Sequence, residues 1–507
     1  MQRTKRSFYN VIIAVTTNLV ILVTAFLVQK VLLSVLGSDY NGINGFFTSV
    51  ITMMSLTDMG IGSAIIYHLY RPAAENNHRV INSLLRFYRS SYIVISCVVM
   101  MMGAILVIFI PQLVGDVHIH DNIYLIFILF LIDCLCSYFL SYKKSLLYAY
   151  QMNYVLDGIH FGYYMLQNAT QIFVLYYYHS YIAFLIIKIF SKCIENGSIS
   201  YYIHKKYDFT RERHIYPLDK EVKCDIIKKV KALLFHRLGS LFVTGSDSLV
   251  ITGILGIFQM NLYTNYHLII GGMTGLLNKV FETLTSSVGN FLLDSSPEKR
   301  RQVYYNIDFL NFWFFGCCTV VLYTVLQPVV VLWVGEQYLL PKHAVFMLTL
   351  NFYIQGMRES ILTFKDAAGI YHQDRFMPLL EAFINIVFSI VLARKIGMTG
   401  VFVGTIVSAG VVFLYSYPKY VCRPLFHIKY MQYQWQTFQH LVIIVGMMLV
   451  VEKFMEFWHS DNLWVYVFQA CLFSAFFFHI CLFIIYGKSR QIHYYKNVFK
   501  HFLIKKE

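Results

Sequence analysis

Residues 351–364 read NFYIQGMRESILTF and set Arg358 beside Glu359 in a run otherwise apolar enough to enter a membrane. An ionised side chain at the centre of a bilayer costs about 2.5–3.5 kcal/mol on insertion scales, so it needs a partner or a hydrated surface. On a helix, partners stand three or four positions away. Arg358 has Ile354, Gln355, Ile361 and Leu362 there, and Glu359 has Gln355, Gly356, Leu362 and Thr363. Adjacent side chains point about 100° apart, so Arg358 and Glu359 do not form a simple pair. Lys30, Lys188 and Arg237 also lack an acid at these spacings, and Asp58, Asp133 and Asp247 lack a base. Lys279 and Glu282 stand three apart, as do Lys192 and Glu195, and these read as locally neutralised pairs.

The chemistry such cations offer is electrostatic. A guanidinium grips phosphate oxygens through two parallel hydrogen bonds, whereas an ammonium acts as a point charge. The acids would tune a cavity or carry a coupling proton or sodium ion. A plainer reading is a side chain that snorkels to water, or an ion pair between helices with a structural role. Lys188 and Arg237 suit that reading better than Arg358, Asp58 and Asp247, which lie farther inside their runs. Several cations without local partners point together to a hydrated basic cavity.

Other chemistries lack their motifs. There is no GxxxxGK[ST] phosphate loop, no HExxH and no redox CxxC, which argues against an ATPase engine. The ten cysteines are scattered, mostly inside apolar runs, and show neither a disulfide framework nor a zinc spacing. His118 and His120 with Asp116 and Asp121 make a loose cluster that reads as a solvated loop rather than a metal site. No catalytic residue, metal ligand or cofactor is assigned, apart from H+ or Na+ as a coupling ion.

The elements that must position these charges are membrane spans. Of 507 residues 57% are apolar and 14% charged, and the apolar ones come in blocks of about 20. Spans are expected near 9–36, 43–67, 91–110, 123–148, 160–178, 181–203, 233–257, 262–292, 307–333, 342–366, 376–394, 398–418, 439–457 and 463–486. The fifth and sixth run almost together through YYYHSY at 176–181. With both termini cytoplasmic, most of the 42 lysines and arginines fall in cytoplasmic segments and few in external loops. The net charge of +15 is then a topology signal with some attraction to anionic lipid, not a nucleic-acid surface.

The long polar stretch 204–232 divides the chain into a six-helix lobe at 1–203, a second at 233–420, and two further helices with a basic cytoplasmic tail at 421–507. The expected fold is an all-α integral membrane protein of about 14 transmembrane helices, with the two lobes around a central cavity. VLGSDYNGING (35–45) and ILGIFQMNLYTNY (254–266) occupy matching places in the two lobes, as an internal duplication would require. The glycines of MGIGSAII and IIGGMTGLLNK read as packing or bending positions.

Several stretches resemble the bacterial polysaccharide-transporter family, the Wzx-type O-antigen flippases of the multidrug/oligosaccharidyl-lipid/polysaccharide exporter superfamily. They are YNGINGFFTSVITMMSLTDMGIGSAIIYHLYRPAAENN (40–77), SDSLVITGILG (246–256), LYTNYHLI (262–269), TSSVGNF (285–291) and, most extensively, residues 351–408. The resemblance covers most of the chain up to about residue 420. It implies twelve core helices plus two, opening alternately to each side of the bacterial cytoplasmic membrane. It implies an undecaprenyl-diphosphate-linked oligosaccharide as cargo, for cell-surface polysaccharide synthesis, and a polysaccharide polymerase as a partner. Arg358, Arg237, Lys279 and Lys30 would then face the diphosphate, and Asp58, Asp133, Asp247 and Glu359 would be cavity or coupling acids. A multidrug exporter of the same superfamily, which should carry an acidic site, is the first alternative. An exporter of another lipid-linked cell-wall precursor is the next. A membrane polymerase or ligase fits less well, because the external loops are short.

Overall fold

A computed structural model describes residues 2–55, 61–115, 117–211, 218, 220–370, 373–457, 460 and 462–504, with side chains except those of 2–16, 61, 63–64, 211, 229, 231–244, 286, 293–294 and 499–504. Among the described residues every regular element is helical. In chain order they are α1 (Gln2–Leu36), α2 (Ser38–Met54), α3 (Ile61–Ala74), α4 (His78–Val114), α5 (Ile123–Tyr138), α6 (Lys144–Ala149), α7 (Asn153–Tyr178), α8 (Tyr181–Lys206) and α9 (Lys220–Val250). There follow α10 (Ile257–Asp294), α11 (Pro297–Val334), α12 (Lys342–Ala368), α13 (Met377–Ile396), α14 (Met398–Val411), α15 (Arg423–Phe426), α16 (Tyr430–Glu456), α17 (Leu463–Tyr486) and α18 (Arg490–Ile504).

Each of the fourteen expected spans falls on one of these helices or on a broken pair of them. Among the described residues seven segments are, by length and composition, long and apolar enough to cross a membrane: Thr17–Leu36, His78–Val114, Ile123–Ala149, Pro297–Val334, Met398–Phe426, Tyr430–Glu456 and Leu463–Tyr486. The other expected spans carry polar side chains inside their apolar runs, such as Asn168 and Gln171 in α7, Lys188 and Lys192 in α8, and Arg358 and Glu359 in α12. These polar helices are where interior chemistry is concentrated.

YYYHSY is a true break. His179 adopts a left-handed conformation (φ 52°), and the Ser180 hydroxyl accepts from the Ala183 amide to cap α8. Residues 412–422 wind as two π-helical stretches between α14 and α15, which changes the direction of Phe413, Ser416 and Tyr417 relative to a regular helix. The basic tail folds in part as α18 and docks on α11, with the Tyr495 hydroxyl donating to the Asn306 carbonyl at 2.9 Å.

The chain forms two compact units, Met1–Thr264 and Asn265–Glu507. The division falls inside α10, and α9 packs on α2 and α3. In the first unit α7 and α8 pack together, α1 lies on α7, and α5 lies on α8. In the second, α11 is the axial helix, contacting α12, α16, α17 and α18, while α13 and α14 form a tight pair. The two duplicated stretches share a backbone detail. Gly37 before α2 and Gly256 before α10 both have φ 90° with extended ψ, a conformation open to glycine. They also meet: Asn41 donates to Asn261 at 2.7 Å, and both are wholly buried in the first unit.

Candidate functional site

In the first unit, Lys188 and Lys192 sit one turn apart on α8 and straddle Asp133 of α5, at 3.3 and 2.8 Å. Asp133 is buried, and the Lys188 ammonium also lies over the Phe130 ring. Lys188 and Asp133, which have no partner three or four positions away on their own helices, find each other across a helix interface, which spacing along one helix does not reveal. The expected local pair Lys192 with Glu195 is corrected. Glu195 instead meets Lys144 at 3.5 Å and His160 at 3.3 Å. Two cations on one buried carboxylate leave a positive excess on this face.

Beside this network is a cavity of about 1050 Å³ between α4, the α5–α6 connection and the end of α8. Its polar end carries Arg86, Arg89, Lys143 and His204, and among the described residues its lining holds no carboxylate. Lys143 is buried and donates to Ser200 Oγ at 2.6 Å, with His204 Nε2 also at 2.6 Å. Arg89 acts on Lys143 as a like charge. The sequence reading missed this cluster, because its members lie just outside or at the ends of the expected spans, where cations read as topology signals.

In the second unit, Arg358 on α12 forms a two-pronged ion pair with Glu381 of α13, with Nη1 to Oε2 at 3.3 Å. Its guanidinium lies 5.9 Å from the Phe413 ring centre, and its buried Nε has no hydrogen-bond partner among the described residues. The expectation of an unpaired Arg358 is corrected: its counter-charge comes from the next helix. Glu381, in the apolar run LLEAFIN, would have been found by the test applied to Glu359. Lys365 pairs with Asp374, both sealed from solvent, and the Ser416 hydroxyl donates to the same acid at 3.5 Å. Asp308 accepts from Ser360 at 2.8 Å and from Gln436 at 2.9 Å. These α11–α12 contacts need a close approach. A Cβ on Gly356 would stand 2.0 Å from the Phe315 ring, and Asn311 donates to the Gly356 carbonyl at 3.0 Å.

The remaining expected residues are dispersed. Lys279 is exposed and paired with Glu282 at 2.7 Å, as its spacing indicated. Lys30 is exposed on α1. Asp247 is buried, and Glu359 is half-buried with no ion pair among the described residues. Within the second unit, Lys279 and Arg358 each hold their own acid and do not converge. Asp58 and the Arg237 side chain lie outside the described residues. Of the 116–121 cluster, Asp116 also lies outside them, and Asp121 accepts from the Tyr40 hydroxyl at 2.8 Å. Among the described residues no three His, Cys, Asp or Glu side chains group as metal ligands.

No family model and no curated protein matches the sequence. Solved structures do match. The lipid II flippase MurJ, in an inward closed conformation, superposes with a TM-score of 0.62 at 14% identity, over 93% of this chain and 98% of that one. The chain has its fold. A multidrug resistance MATE family transporter of the MOP superfamily matches inward-facing (TM-score 0.53, 14% identity, 79% of this chain and 97% of that one). An outward-facing one matches with the same score at 12% identity, over 86% and 95%. The polar helices α7, α8, α12 and α13 thus belong to a multi-pass membrane architecture, which explains why their charges are paired between helices.

Proposed function

We propose that this chain is a flippase of the bacterial cytoplasmic membrane that moves undecaprenyl-diphosphate-linked oligosaccharide units outward by alternating access, with both termini in the cytoplasm. The observation carrying the reading is the near end-to-end likeness to a lipid II flippase, 93% of this chain on 98% of that one. The basic excess in the first unit supports an anionic cargo over a cationic drug. A multidrug exporter remains the second reading, because MATE transporters share the fold.

In this proposal Arg358 exchanges Glu381 for phosphate oxygens in another state of the cycle, since a bidentate grip suits either partner. Arg237, Lys279 and Lys30 are proposed as further phosphate-facing cations. Asp58, Asp133, Asp247 and Glu359 are proposed to tune the path or to carry a coupling H+ or Na+. A polysaccharide polymerase would take the delivered unit. Deleting the gene in the parent strain and analysing lipid-linked sugars on each membrane face tests the reading. Accumulation on the inner face supports it; an unchanged distribution together with new drug sensitivity supports the multidrug reading instead.

A further inference from the structure

The cavity of the first unit has a second property besides its charge. Arg86, Arg89, Ile93, Cys97 and Met100 all line it, and their spacing puts them on a single stripe of α4. The stripe changes character along its length, from two exposed arginines to exposed Ile93 (56%) and Met100 (50%), and exposed Phe139 (59%) also lines the cavity. From Arg89 to Met100 the helix rises about 16 Å. One leaflet of a bilayer core is about 15 Å deep. The cavity is therefore basic at one end, apolar at the other, and as long as a lipid chain within a leaflet.

Soluble anions would have no use for the apolar end, and a neutral lipid none for the basic one. Among the described residues neither Arg86, Arg89 nor Lys143 pairs with a carboxylate, and Lys143 is held by Ser200 and His204 with an ammonium proton to spare. We infer that this cavity binds the net anionic phosphate headgroup of a membrane lipid, in preference to a zwitterionic one, with Arg86, Arg89 and Lys143 around the phosphate and one chain laid along Ile93, Met100 and Phe139. The site lies wholly within the first unit and is independent of the transport reading, because occupancy is measured without transport.

Cys97, exposed in the middle of the stripe, reports occupancy, and exposed Cys224 is the internal control. The full-length protein in neutral detergent is labelled with a maleimide after addition of phosphatidylglycerol, undecaprenyl phosphate, phosphatidylcholine or inorganic phosphate. The expected result is that phosphatidylglycerol or undecaprenyl phosphate slows labelling of Cys97 and not of Cys224, and the stronger of the two identifies the source of the headgroup. R86Q/R89Q, at exposed positions, should weaken that protection at least about tenfold, the loss of about 1.4 kcal/mol of charge-assisted contact. Equal protection by phosphatidylcholine, equal protection by inorganic phosphate, or undiminished protection in R86Q/R89Q each overturns the inference.

Discussion

Arg358 of α12 and Glu381 of α13 hold each other through two parallel hydrogen bonds, with side chains 14% and 5% exposed. Breaking a buried pair from one side strands a charge, which costs about 3–5 kcal/mol, whereas replacing both partners with apolar groups of similar size is often neutral. Glu381→Ala should therefore lower the melting temperature of the purified protein far more than R358M/E381M does. Equal melting of the two variants would mean the pair is not a sealed one.

Asp133 serves two lysines, so the three residues should respond unequally. Removing Lys188 or Lys192 singly leaves the carboxylate one partner and should cost about 1.5–3 kcal/mol, in line with a single charge-assisted contact. Asp133→Ala leaves two half-buried cations facing each other and should cost more, about 3–5 kcal/mol. Thermal melts of the three single variants in one detergent check the order, and a K188A melt as low as that of D133A would contradict it.

Gly356 admits no side chain, because a Cβ there would overlap Phe315 at 2.0 Å. Overpacking of this kind costs about 1–3 kcal/mol. Gly275, on α10 with nothing within 4 Å of its notional Cβ, is the matched control. G275A should be neutral or stabilising by up to about 1 kcal/mol through helix propensity. Chemical or thermal unfolding of the two variants gives the comparison.

The proposed transport reading carries an energetic expectation. A headgroup with two negative charges leaving a cell interior at −100 mV gains about 4.6 kcal/mol if it crosses the whole field. Collapsing the potential in vesicles at fixed proton and sodium gradients should slow outward movement of the lipid-linked sugar. Unchanged movement would remove membrane potential as the driving force.

Composition and periodicity alone established an all-helical membrane chain and placed a helix under every expected span, because a bilayer forces backbone hydrogen bonds into the segment and sets its length. The test for partners three or four positions away correctly singled out charges that need explanation, such as Arg358, Lys188 and Asp133. Their partners were invisible to it, because Glu381 and Asp133 reach them from neighbouring helices, 23 and 55 or more residues away in the chain. The basic cavity was hidden for a related reason: Arg86, Arg89, Lys143 and His204 come from three separate stretches, and each by itself looks like a cation at a membrane edge. Side-chain type and helical period are local properties fixed by sequence, whereas which charge neutralises which depends on helix packing, which only the tertiary structure decides.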